Sequence, residues 1–109
     1  VTVTYKVLGQ LNPSANTLTT IYTVPANTQA VISTITVCNL ANAASTFKLA
    51  VQPGNAAIDN KHYINYDATL PAFDTVALTL GITLSQTDVV SANVGSANIS
   101  LNIFGSEIS

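Results

Sequence analysis

Charge is the first thing this sequence lacks. Three lysines, no arginine and five acids among 109 residues make 7% of side chains charged, where a soluble domain carries about 25%. Lys6, Lys48 and Lys61 are scattered. They form no basic patch to follow a phosphate backbone, which argues against nucleic acid as a partner. Long apolar runs are missing as well, and none approaches the ~20 residues of a membrane-spanning helix. The opening VTVTYKVLG lacks the charged, apolar and small-residue succession of a secretion signal, and processing ahead of Val1 is expected. Cys38, the single cysteine, has no intrachain partner, which excludes a disulfide-stapled scaffold. With His62 the only histidine, no zinc-type ligand set forms within one chain.

Serine, threonine and asparagine take the place of charge, supplying 35 residues. They leave a surface that hydrogen-bonds but barely repels a second copy. Strand signals dominate the rest. Segment 46–52, TFKLAVQ, sets Phe47, Leu49 and Val51 against Thr46, Lys48, Ala50 and Gln52, the period-two pattern of a half-buried strand. Segment 74–82 does the same with Val76, Leu78, Leu80 and Ile82, and segment 98–103 with Ile99, Leu101 and Ile103. Five weaker strands are predicted near 2–9, 17–24, 30–39, 61–67 and 88–94. Within 30–39, Val31, Ile35 and Val37 oppose Ile32 and Cys38, which reads as a central strand covered on both faces.

Turn residues fall between these segments, in LNPSAN, VPANT, NLANAAS, QPGNAA, LPAF and VGSA. Short strands with turns every 8–12 residues predict an all-β fold. We expect a single-domain β-sandwich over residues 1–109, jelly-roll-like, with about eight short strands. A gapped echo links PANTQAVISTITV at 25–37 to PAFDTVALTLGITL at 71–84 without establishing duplication.

The search for chemistry assigns no catalytic, cofactor-binding or metal-ligating residues. His62, in DNKHYINYD, reads as a surface or interface histidine. Asp67, Asp74 and Asp88 stand at strand ends or turns, where short acids cap backbone amides; a loop calcium site or a glycosidase pair is the weaker reading. Serines are plentiful but no nucleophile elbow accompanies them, and no phosphate-binding glycine loop occurs. Cys38, inside STITVCN, reads as a buried small hydrophobe rather than a reactive thiol. Asn98-Ile99-Ser100 is a formal glycosylation triplet lying mid-strand. Tyr63 and Tyr66, three apart in a strand, are expected on opposite faces.

Several segments taken together, in order, carry a resemblance: TYKVLGQ at 4–10, IYTVPA at 21–26, STITVCN at 33–39, HYINYD at 62–67, DTVALTLGITL at 74–84 and FGSEI at 104–108. The chain resembles small β-rich virion structural proteins of tailed bacteriophages, especially cyanophages, from about Tyr5 to Ile108. The resemblance implies a virion component without enzyme activity or cofactor, and it transfers no site residues. Its expected partners are further copies of itself, as a trimer, and the phage major capsid protein or tail proteins. The leading expectation is a capsid decoration (cement) protein. The alternatives are a tail, baseplate or fibre component, and a carbohydrate-binding module, the last disfavoured by seven aromatics and no tryptophan.

Overall fold

The computed structural model describes all 109 residues. Nine strands follow one another: β1 (Val3–Leu11), β2 (Thr19–Thr23), β3 (Gln29–Asn39), β4 (Ser45–Gln52), β5 (Tyr63–Leu70), β6 (Thr75–Leu78), β7 (Ile82–Leu84), β8 (Val89–Val94) and β9 (Ile99–Ile108). The only helical pieces are two 3-10 turns, Pro53–Asn55 and Asn60–His62. Threonine, valine and isoleucine fill the strands because their branched Cβ atoms suit a pleated, half-buried surface.

The strands form two antiparallel sheets. One runs β1-β9-β3-β6, with β7 also pairing β3; the other runs β2-β8-β4-β5. Taken as one interrupted strand, β6 and β7 make the logic plain. First pairs with last (β1 with β9), second with second-last (β2 with β8), β3 with β6 and β7, and β4 with β5. Such a ribbon, rolled so that β9 also meets β3 and β8 meets β4, is a jelly roll. The expected architecture is therefore present, with nine strands where about eight were counted.

The extra strand comes from a bend in the first sheet. In β3 the register slips between Ile32 and Thr34 against β9, and in β1 between Val7 and Gly9. Residues 79–81 leave the sheet opposite the same place, with Gly81 at φ 62. A line of irregularities thus crosses the sheet and switches which side chains face in. On β3 the buried residues are Ala30 and Ile32 before the bulge, then Ile35, Val37 and Asn39 after it. The strand has one buried face, not two; Cys38 lies half-buried on the outer one. Gly105 sits at the crossing, where a Cβ would lie 2.0 Å from the Val31 carbonyl oxygen.

The core is one cluster between the sheets. Ile35, Val37, Ile99, Leu101 and Ile103 meet Phe47, Leu49, Val90, Ala92 and Val94, all 1% exposed or less. Of the residues expected inside, Val51, Val76 and Leu78 are only partly buried, and Leu80 is 49% exposed because it falls in the break. The rolled ends are fastened by polar side chains. Asn39, 1% exposed, shares its amide among the carbonyls of Ala43, Leu70 and Pro71, and its Oδ1 accepts from the Ala41 N–H at 3.0 Å.

Candidate functional site

Residues 53–62 fold back over the outer face of the second sheet. Gln52 donates to the Ala56 carbonyl at 3.0 Å, and Ser91 Oγ donates to Gln52 Oε1 at 2.6 Å beneath this cover. His62 belongs to it. Its Nδ1 accepts from the Asp59 N–H at 3.0 Å while Asp59 accepts from the Asn60 N–H at 2.9 Å, a reciprocal cap. At 7% exposure it is not the surface histidine expected.

The acids are spread around the molecule. Asp74 accepts from the Thr75 N–H, and Asp88 from the N–H groups of Ser85 and Gly54, so both cap turns as expected. Asp67 does something else: it sits at φ 51 within β5 and pairs with Lys48 across the sheet. No three His, Cys, Asp or Glu side chains converge in a way that would hold a metal ion.

Three side-chain groups stand out, and sequence reasoning found none of them as groups. The first joins the sheets. Glu107, in register with buried Ala30, faces inward where the sandwich opens. Its Oε2 accepts from Tyr22 Oη of the opposite sheet at 2.5 Å, and its Oε1 lies 3.1 Å from Lys6 Nζ. The Tyr22 hydrogen bond holds the Glu107 carboxyl below its ordinary value, aided by Lys6 and opposed by burial. Burial raises the Tyr22 phenol well above its own ordinary value, with the Glu107 bond and charge adding to it.

The second group lies on the outer face of β4 and β5. The register of β5 slips by one residue between Tyr63 and Asn65, so Tyr63 and Tyr66 share a face, against expectation, with ring centroids 5.0 Å apart at 85°. Lys48 Nζ lies 4.7 Å from the Tyr66 centroid, and its bond to Asp67 raises the ammonium above its ordinary value. Asn93 is directly across from Lys48, and Asn60 and the two tyrosines line a hollow of about 450 Å³.

The third group is a strip on the outer face of the first sheet. The registers Val3↔Ile108, Tyr5↔Ser106↔Val31 and Val7↔Phe104 set these side chains in adjoining rows. Val3, Tyr5, Val7 and Phe104 are all exposed, Tyr5 at 84%. A shallow depression runs among Tyr5, Val7, Val31 and Phe104. No protein-family model matches the chain, and neither a curated protein nor a solved structure does.

Proposed function

We propose that this chain is a structural protein of a tailed-bacteriophage virion: a capsid decoration (cement) protein that oligomerises and stabilises the shell. The sequence resemblance supplies the setting. The single observation that carries the reading is the apolar strip along β1, the edge strand of its sheet. Edge strands are normally kept apart by exposed lysines, yet Lys6, the only charge on β1, is engaged by Glu107. The strip is continuous and nearly uncharged. Covering it removes apolar surface from water at little cost in desolvated charge. A closed oligomer, expected as a trimer, hides such a surface without open-ended growth.

Two measurements test this together. Light scattering on the purified chain is expected to show a closed oligomer that Tyr5→Lys with Val7→Lys dissociates. Counting copies in purified virions is expected to give a stoichiometry comparable to that of the shell subunit. Particles stripped of the protein should lose heat resistance and regain it on add-back, rising with occupancy. A strict monomer present at a few copies per particle would instead favour a tail, baseplate or fibre component.

A further inference from the structure

We propose that the outer face of β4 and β5 binds neutral carbohydrate, with Tyr66 as the stacking platform. This goes beyond a decoration role and rests on different residues. The single register slip between Tyr63 and Asn65 places Tyr63 and Tyr66 on one face, although residues three apart in a regular strand point opposite ways. A sequence that needed these rings only for packing would have buried them. Tyr66 is instead 64% exposed, so much of its ring lies open even with an ammonium on it. The left-handed backbone at Asp67 brings that carboxylate to Lys48 beside the ring.

The electrostatics select the ligand class. Lys48 and Asp67 neutralise one another. An anionic ligand would have to displace Asp67, and a cationic one Lys48, each losing a contact to make one. A neutral polyol takes both as they stand, donating hydroxyls to the carboxylate and accepting from the ammonium. The C–H face of a pyranose supplies the apolar side that a tyrosine ring stacks upon. Asn60 adds an amide at the rim, and the 450 Å³ hollow suits one or two sugar rings. The strip on the other sheet sets Val7, Val31 and Phe104 beside Tyr5, a more apolar surface that suits a protein contact.

The test uses the full chain labelled with ¹⁵N and a panel of neutral gluco-, galacto- and manno-configured oligosaccharides. Amide shifts are expected at residues 60–68 and at Lys48 and Asn93, saturating with a Kd of about 1 mM, as befits one platform. Tyr66→Ala should weaken binding at least tenfold, Tyr66→Phe should retain it, and Leu40→Ala, at an exposed position after β3, should bind as the parent does. The amide spectrum of Tyr66→Ala reports in the same experiment that the fold persists. Silence across the whole panel at about 10 mM, tenfold above that Kd, overturns the proposal. So does unchanged binding by Tyr66→Ala, or tighter binding of acidic oligosaccharides that salt abolishes, since that would mark an ionic site. None of these outcomes touches the self-association or copy number of the chain.

Discussion

Tyr22, Glu107 and Lys6 come from the second, ninth and first strands and act as one fastening between the two sheets, with the Asn39 amide reaching the Leu70 carbonyl at the far end of β3. Its behaviour with pH follows from the directions of the shifts. Glu107 is held below its ordinary 4.5, so the unfolded chain takes up this proton first. The bond therefore contributes fully above pH 4.5, and its contribution fades as pH falls through the lower folded value. Tyr22 is raised above its ordinary 10.0, so its contribution is full below that pH and declines above it, where the unfolded phenol ionises first. Replacing Tyr22 by Phe is expected to cost about 1.5–3 kcal/mol near neutrality, the worth of a hydrogen bond to a charged group. The same change should flatten both limbs of a plot of urea midpoint against pH. Parallel limbs in the parent and in Tyr22→Phe would place the titration elsewhere. No local pattern announced this trio; the only hint was a lone charge in each of two apolar strands.

At the scale of the element, alternation was legible wherever a strand runs straight. TFKLAVQ and the start of β9 alternate through the core as read, with Phe47, Leu49, Ile99, Leu101 and Ile103 inside. Alternation failed at each bulge, since one extra residue flips every side chain beyond it. That is why plain alternation puts Leu80 inside, gives β3 two buried faces and separates the tyrosines. The bend that causes the first two errors depends on one glycine. Gly105→Ala would force a Cβ into the Val31 carbonyl and should cost at least about 2 kcal/mol, towards the upper end of overpacking. A melting temperature within a degree or so of the parent would show that the bend relaxes freely. The gapped echo also has an element-scale explanation. Val24-Pro25-Ala26-Asn27 and Leu70-Pro71-Ala72-Phe73 are the same turn, each following a buried aliphatic residue and ending left-handed at φ 57 and 55. Asparagine tolerates that conformation and phenylalanine does not. Phe73→Asn is therefore expected to stabilise the chain by up to about 1 kcal/mol, read as a higher denaturation midpoint.

For the whole molecule, strand count and turn spacing reached a β-sandwich or small barrel, while the jelly-roll strand order came only from the registers. The same holds for surfaces. Charge depletion told that copies can pack closely, but not that the apolar strip lies along β1 or that a mixed polar and aromatic face lies on the other sheet.

The ribbon pairing described above also sets an order of assembly. β4 and β5 are joined by ten residues, whereas Val3 must find Ile108 across nearly the entire chain. Closing a loop costs entropy that grows with its length, so the β4–β5 turn is the cheapest place to begin and β1–β9 the dearest. Each inner pair, once made, shortens the effective loop of the next. Thr2 and Ser109 exchange backbone hydrogen bonds at 2.6 and 2.9 Å, so a short linker can join the ends with little strain. Opening the joined chain between Ala57 and Ile58 then inverts the hierarchy: β9 and β1 become a hairpin, and β4 and β5 become the remote pair. The folded structure is expected to survive this rearrangement with its stability changed little. The sensitivity of the folding rate to mutation should migrate from Leu49 in the parent to Ile103 in the permutant.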